Sequence, residues 1–354
     1  ALQIERIMPD AISPLAARWI RRWLIIIGLM VYAMILIGGA TRLTDSGLSI
    51  TEWDPIKGAL PPFSEAAWLV EFEKYKATAE FQQQNYNMTM AEFQYIYWWE
   101  WGHRLFGRLI GLVAIAGFVW FVIKGWLSKK WAWRLGALIA LGGLQGFIGW
   151  WMVASGSGDT DRLDVAPYRL MTHFGLALLI IAITAWFWLD LGEQRQIKVK
   201  PVLRIMAIAI FALTSVQMLT GALVAGLDAG RSYTDWPLMA GELVPSHYLD
   251  DQLGIRSLFE GRAATQFNHR FFAYALWGLA IIAAILARGS AFARGYFIVA
   301  CLITAQAVWG IITMINAAPL PVALVHQGLG VIVLLSTVWI VWVTRSENSQ
   351  TARA

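Results

Sequence analysis

Charged residues are scarce in this chain. Asp, Glu, Lys and Arg together make up 14% of it, whereas about 25% is usual in soluble domains. Hydrophobic residues reach 58%, and 20 residues are tryptophan. This composition excludes a soluble globular protein and predicts an integral membrane protein.

Cysteine occurs once, as Cys301, so an internal disulfide is excluded. Because Cys301 falls inside an apolar run, we expect a buried structural thiol. The first eighteen residues lack the apolar core and the small-residue cleavage site of a signal peptide, and they lack the Arg and Ser content of a transit peptide. We therefore expect neither kind of leader, and a bacterial inner membrane fits the sequence best.

The chain contains many long apolar runs. Eight of them reach the roughly 17–25 residues that a helix needs to cross a bilayer, and they fall at residues 19–40, 96–123, 131–153, 166–190, 201–226, 267–288, 291–315 and 320–344. Lys and Arg concentrate in the ends and loops on one side of these spans. Because cytoplasmic loops retain positive charge, both termini are predicted to be cytoplasmic. The net charge of +5 then reflects the basic residues of the cytoplasmic loops and gives no reason to expect nucleic acid as a partner.

The two halves of the sequence resemble each other. A shift of 183 residues aligns their first parts, and slightly shorter shifts continue the alignment where loop lengths differ. The matched pairs include Gly38 with Gly221, Asp45 with Asp228, His103 with His269, and His173 with His326. Because each half contains four spans, both halves enter the membrane from the same side. The predicted fold is an all-α polytopic membrane protein, in which eight transmembrane helices form two parallel-repeat four-helix bundles with pseudo-two-fold symmetry.

Domain boundaries follow from the spans. The predicted order is a cytoplasmic N-terminal segment, a first four-helix half, a cytoplasmic linker, a second four-helix half and a cytoplasmic tail, at residues 1–18, 19–190, 191–200, 201–344 and 345–354. The outer loops 41–95 and 227–266 are too long for simple connections, so we expect short helices in both. In the first of them, segment 64–82 mixes apolar and charged residues and predicts one amphipathic interfacial helix.

Four of the five histidines lie in the outer part of even-numbered spans, two in each half: His103, His173, His269 and His326. Imidazoles that face each other across a helical bundle are the usual axial ligands of haem iron. A zinc site would need three or four protein ligands, and each half offers two histidines and no cysteine pair. A hydrogen-bonded core histidine is the structural alternative, but the symmetric placement of four favours haem. We predict one haem site in each half, toward the periplasmic side.

An acidic residue distinguishes the halves. Glu100 stands three residues before His103, whereas Gln266 stands three residues before His269. Positions three apart share a helix face, and an ionisable group within a membrane span is a functional candidate by default. Since glutamine cannot ionise, the second site lacks the acid–base or charge-stabilising group of the first. This difference predicts chemistry in the first half and electron transfer in the second.

Two arginines directly follow histidines: Arg104 and Arg270. At the outer surface their guanidinium groups could pair with the propionates of a bound haem. They could equally extend to lipid headgroups. The sequence leaves both interpretations open.

Several short motifs together carry a family resemblance. They lie at residues 38–43, 51–53, 100–104, 172–174, 268–270 and 325–327. As a set they resemble haem A synthase, most closely its alphaproteobacterial and mitochondrial form, and the similarity runs from about residue 19 to residue 344.

The resemblance implies an enzyme that oxidises the C8 methyl of haem O, via a hydroxymethyl intermediate, to the formyl of haem A for terminal oxidases. It implies that His269 and His326 ligate the iron of a cofactor haem b, while His103 and His173 flank the substrate haem. Glu100 matches the essential acidic residue of the family. Its role is either proton acceptance or stabilisation of positive charge at the oxidised carbon.

The resemblance also implies partners. The substrate haem O connects the protein to haem O synthase and to terminal oxidase assembly factors, and membrane lipid surrounds it; a homo-oligomer is compatible with the sequence. Some members of the family carry a cysteine pair in the first outer loop. Residues 41–95 contain no cysteine, so a thiol–disulfide step at that loop is not expected.

Two other functions compete with oxidation of haem O. A di-haem electron-transfer protein of the membrane would explain all four histidines but not the difference between Glu100 and Gln266. A transporter built on parallel repeats is disfavoured, because the spans lack the paired Pro and Gly interruptions of broken helices.

Overall fold

The structure, a computed structural model, describes residues 12–54, 57–157, 162–192 and 198–345. Across these residues the chain is helical, and eight helices are long and apolar enough to cross a membrane. They are α1 (Pro14–Leu43), α4 (Met90–Ile123), α5 (Lys129–Val153), α6 (Pro167–Asp190), α7 (Pro201–Gly226), α9 (Arg262–Leu286), α10 (Ala293–Ile315) and α11 (Leu320–Val343). The predicted all-α polytopic class is confirmed. Residues 1–11, 193–197 and 346–354 lie outside the described residues, and with them most of the predicted N-terminal segment and tail and half of the predicted linker.

Helix α4 begins six residues before the apolar run that predicted it. The Thr89 hydroxyl caps the Glu92 N–H, and the Glu92 carboxylate accepts from the Thr89 N–H, which forms a capping box. At 34 residues and about 1.5 Å per residue, α4 exceeds the roughly 30 Å of a bilayer core. The helix is therefore longer than the apolar layer, and Glu100 and His103 lie in its N-terminal half.

The spans pack as two rings of four helices. Helices α1, α4, α5 and α6 contact one another in order around the first ring, and α7, α9, α10 and α11 do the same around the second. The rings meet through α1, α6, α7 and α11. The four helices of each predicted half therefore contact one another in the structure. The two-fold axis relating them and the domain boundaries remain predictions.

Both outer loops contain short helices, as predicted. The first has a 3₁₀ turn at Lys57–Ala59 and the helices α2 (Glu65–Lys76) and α3 (Ala79–Gln83). The second has 3₁₀ turns at Ala229–Arg231 and Gly254–Arg256 and the helix α8 (Ser257–Glu260).

The single helix predicted over 64–82 is wrong in extent. The chain leaves the helical conformation after Lys76, and the Thr78 hydroxyl then accepts from the Phe81 N–H as the N-cap of α3. Leu69 of α2 is exposed. The residues that bury are Phe72 and Tyr75, which pack with Phe93 and Tyr97 of α4.

The expectation of a buried Cys301 is wrong as well. Cys301 is exposed on the side of α10 that does not pack against other helices, whereas Val299, Ala300 and Ile303 are buried on its packed side. In a membrane bundle, the surface that faces lipid is as apolar as the packed interior. An apolar sequence therefore identifies the span but not the side of it that is buried.

Candidate functional site

Each of the four histidines packs against a glycine of the preceding span. A Cβ atom placed on that glycine would lie about 3 Å from the imidazole, which is closer than normal van der Waals contact. The distances to the nearest ring atom are 3.2 Å for Gly38 and His103, 2.9 Å for Gly149 and His173, 3.0 Å for Gly221 and His269, and 2.9 Å for Gly310 and His326. The glycines permit a helix-to-imidazole approach that any larger residue would obstruct.

The histidines form the two predicted pairs. His103 and His173 lie close enough to interact electrostatically, as do His269 and His326. The fifth histidine, His247, is exposed in the second outer loop, in line with a solvated side chain. The structure therefore brings together one pair of imidazoles in each helical ring.

Three of these histidines also contact a glutamine that the sequence did not single out as functional. Side-chain amides donate to the main-chain carbonyl of the histidine at 3.0 Å in each case: Gln145 to His173, Gln217 to His269, and Gln306 to His326. Each glutamine precedes the contacting glycine by four residues, so the two share a helix face. The recurrent Gln-x-x-x-Gly spacing was the available signal, and it is meaningful only beside the histidines it faces.

Hydrogen bonds to the ring nitrogens are unequal among the sites. The Gln217 amide lies 3.1 Å from His269 Nδ1, and the Thr220 hydroxyl lies 3.1 Å from the same atom. The Gln145 amide lies 3.2 Å from His173 Nδ1. For His326, Nδ1 is buried with no hydrogen-bond partner among the described residues.

Glu100 is buried, with 2% of its surface exposed, and its carboxylate is fixed by three donors. Oε2 accepts from the Ser49 hydroxyl at 2.7 Å and from the Ile50 N–H at 2.8 Å, and Oε1 accepts from Arg104 Nη2 at 2.6 Å. Ser49 and Ile50 lie in the loop that follows α1, the helix that also carries the glycine beside His103. Glu100 and His103 therefore both face the α1 side of α4, as their spacing predicted.

In the second half, Gln266 is also buried but bonds differently. Its Nε2 donates to the Tyr233 carbonyl at 2.9 Å, and its Oε1 has no partner among the described residues. Tyr233 corresponds to Ile50 at the shift of 183 residues. Glu100 thus accepts two hydrogen bonds from the first outer loop, whereas Gln266 donates one hydrogen bond to a carbonyl of the second outer loop.

Arg104 and Arg270 hold the outer loops to the spans. Arg104 donates to the carbonyls of Ile50 and Glu52, each at 3.1 Å. Arg270 donates at 3.0 Å to the carbonyls at the two corresponding positions, 233 and 235, and to that of Leu238. Both guanidinium groups already have acceptors from the protein, so a pairing with haem propionates stays a prediction.

A further ion-pair cluster, not anticipated from the sequence, joins the two halves near the outer ends of the spans. The Arg42 guanidinium lies 2.9 Å from Asp45, 2.9 Å from Asp228 and 3.5 Å from Asp164. Asp45 and Asp228 are a matched repeat pair, and both adopt the left-handed backbone conformation, with φ of 49° and 50°. One arginine of the first half therefore binds an equivalent aspartate from each half.

The donor atoms at the histidine pairs fit the axial ligands of haem. Imidazoles, one of them with an unpartnered buried nitrogen, lie between apolar helices and glycines that admit close approach. Throughout the part of the chain that the structure describes, no three His, Cys, Asp or Glu side chains cluster as a bare metal ion would require. Two imidazoles in each half suit an iron whose other four positions are filled by a porphyrin.

Fold and site together define a polytopic helical membrane protein with one buried pair of histidines in each of two helical rings. Residues 21–338 match the COX15-CtaA family model, described as cytochrome oxidase assembly protein. The chain belongs to this family.

Relatives with the name "Heme A synthase" match nearly the whole chain. That of Hyphomonas neptunium is 64% identical over 334 residues, which cover 94% of this chain and 95% of the relative. That of Paracoccus denitrificans is 46% identical and covers 90% and 86%, and that of Maricaulis maris is 44% identical and covers 94% and 98%. The family resemblance read from the short motifs is confirmed.

Proposed function

We propose that this protein is a haem A synthase, which oxidises the C8 methyl of haem O, via a hydroxymethyl intermediate, to the formyl of haem A for terminal oxidase assembly. The observation that carries the proposal is the difference between the two outer sites. Glu100 places a buried, immobilised carboxylate three residues from His103, and Gln266 places a neutral amide at the matching position. A protein that only transfers electrons between two haems has no need of this difference.

The two halves divide the work in this proposal. His103 and His173, in the first half at 19–190, flank the substrate haem O, and His269 and His326, in the second half at 201–344, ligate the iron of haem b. Haem b bound there supplies one-electron transfer. The glutamine and glycine contacts hold His269 and His326 in fixed positions, as suits a cofactor that stays bound.

Glu100 acts at the reacting carbon in this proposal. Its carboxylate cannot rotate away, because the loop and Arg104 hold both oxygens. A group fixed in this way can accept a proton from the substrate or stabilise positive charge on the methyl carbon without first reorganising. Arg104, which forms an ion pair with the carboxylate at 2.6 Å, offsets its negative charge.

We place the protein in a bacterial inner membrane, with both termini cytoplasmic and the histidine pairs toward the periplasm. The concentration of Lys and Arg in alternate loops supports this orientation, and the relatives come from bacteria. Haem O synthase and the factors that assemble the terminal oxidase are the proteins expected to exchange haem with it.

Identification of the extracted pigments tests the function. Protein purified from cells that make haem O should carry haem b together with haem O or its oxidised products. Glu100→Gln should keep both haems and lower the conversion of haem O to haem A by at least about 100-fold, the usual size of an acid–base contribution. Glu92→Gln, an isosteric change at an exposed position of the same helix, is the matched control and should convert normally. Two haem b per chain in wild type, unchanged by Glu100→Gln, would make the protein a di-haem electron carrier.

A further inference from the structure

The His103 site lacks a feature that the other three sites share. In those three, a glutamine four residues before the glycine donates to the histidine carbonyl. Four residues before Gly38 stands Met34. A thioether cannot donate a hydrogen bond, so the main-chain carbonyl of His103 lacks the side-chain amide donor that the other three histidines have.

Met34 is accommodated by a second change. Its methyl carbon lies 3.0 Å from a Cβ placed on Gly107, one helical turn after His103. The position in the second half that matches Gly107, 166 residues further on, is Ala273. The first half therefore has Met34 beside Gly107, where the second half has Gln217 and Ala273 at the matching positions. Gly107 provides the space that the thioether of Met34 needs.

The two histidines of the first half consequently differ. His173 keeps its glutamine, with Gln145 bonded to its carbonyl and close to its ring, whereas His103 has a methionine in place of that glutamine. A ligand that is held in its bound orientation loses less freedom on binding and releases more slowly. Methionine, with three flexible bonds, provides no such orientation.

We propose that Met34 makes His103 the releasable ligand of the first-half haem, while His173 anchors that haem. Met34 is thus a positioning residue for substrate turnover. This inference rests on the proposed function, since haem O must enter and haem A must leave. Release of His103 would open the side of the site that carries Glu100, which is on the same helix.

Binding of carbon monoxide to the reduced, purified protein in detergent tests this proposal. Carbon monoxide can bind a haem with two axial histidines only after one histidine leaves, so its binding rate measures imidazole release. Wild type should show a fast phase from the first-half haem and a slow phase from the second. Met34→Gln should slow the fast phase by about two- to tenfold, the usual effect of one hydrogen bond on an equilibrium, and leave the slow phase unchanged.

Two further variants make the test specific. Met34→Leu preserves an apolar side chain of similar size and should leave both phases unchanged. Gln217→Met combined with Ala273→Gly, the reverse exchange in the second half, should speed the slow phase, and it provides the test if Met34→Gln fails to fold. Unchanged phases in both exchange variants, or an equal slowing by Met34→Leu, would overturn the proposal.

The outcome is separable from that of the proposed function. Pigment extraction identifies the haems, and the carbon monoxide phases report only ligand release. Haem O and haem A in the extract together with unaffected phases would remove this inference and leave the enzyme. Haem b alone in the extract would remove the enzyme, and the inference about turnover with it.

Discussion

The two outer sites of the molecule share a frame and differ in charge. In each, an arginine on a span donates to two carbonyls at matching positions of the preceding loop, those of Ile50 and Glu52 in the first half and of Tyr233 and Asp235 in the second. Beside this common frame, the first half has Glu100 and the second has a glutamine.

This comparison shows that the carboxylate is not needed to hold the loop. The second half keeps its loop with three carbonyl contacts from Arg270 and one from Gln266. Burial of a charged group is costly unless it is fully bonded, and the first half provides three donors to bury Glu100. A site that maintains a buried carboxylate where an amide would hold the loop equally well indicates a chemical use for the charge.

The largest expected effect comes from removing one histidine from either half. Under the proposed assignment, His269→Ala should lose haem b, because one of the two proposed iron ligands is gone. His103→Ala should keep haem b and lose conversion of haem O. Haem content per chain, measured as the pyridine haemochrome after gel filtration, compares the two variants. His247→Ala changes an exposed histidine and should alter neither quantity.

The opposite pattern would exchange the roles of the two halves. Retention of haem b in His269→Ala together with its loss in His103→Ala is the result that requires this reassignment.

A smaller effect is expected from adding one methyl group beside a histidine. In Gly310→Ala the new Cβ would lie 2.9 Å from Cε1 of His326, so the imidazole must move by several tenths of an ångström. Overpacking of this kind costs about 1–3 kcal/mol, and haem b should bind about tenfold or more weakly. A titration of the haem-depleted protein with haem b measures the change.

The matched glycine in the first half sharpens the comparison. Gly149→Ala places its Cβ at the same 2.9 Å from Cε1 of His173 and should weaken haem O binding without affecting haem b. Gly111→Ala meets no atom within 4 Å and serves as the control. An equal loss of haem O binding in Gly111→Ala would attribute the effect to a change in helix packing or stability, and not to contact with the imidazole.

Much of this comparison could be predicted from the sequence. The spans follow from apolar length, and the difference between Glu100 and Gln266 follows from aligning the halves, since side chains at equal helical spacing occupy corresponding positions. In the structure His173 influences His103 electrostatically, and His326 influences His269. The helix start at Met90 could have been read from the capping box at Thr89 and Glu92.

Contacts between distant segments could not be predicted. The acceptors of Arg104 are main-chain carbonyls, which every residue possesses, so no sequence pattern marks them. The contact of Arg42 with Asp228 depends on how the two halves pack. The exposed side of Cys301 was missed because lipid-facing and buried residues are equally apolar in a membrane helix.

The smallest effect concerns Glu80, which belongs to α3 of the first outer loop. The only α-helix of the second outer loop, among the described residues, is the four-residue α8. Glu80 is buried, and its Oε2 has no partner among the described residues. Burial raises the pKa of Glu80 to about 8 from its ordinary 4.5, and the negative charges of Glu100, Asp164 and Asp45 add to the shift.

A raised pKa means that the folded protein keeps a proton on Glu80 that the unfolded chain has released. Stability from this group is therefore complete below pH 4.5 and is lost as the pH rises through 8. Glu80→Gln mimics the protonated form, so it should raise the melting temperature at pH 9 by about 2–4 °C, which corresponds to ~1 kcal/mol, and change it little at pH 5. Glu73→Gln, on the exposed side of α2, should show no such trend. If the difference in melting temperature between wild type and Glu80→Gln stayed constant from pH 5 to 9, Glu80 would be ionised in the folded protein. The first outer site would then tolerate a second buried charge beside Glu100.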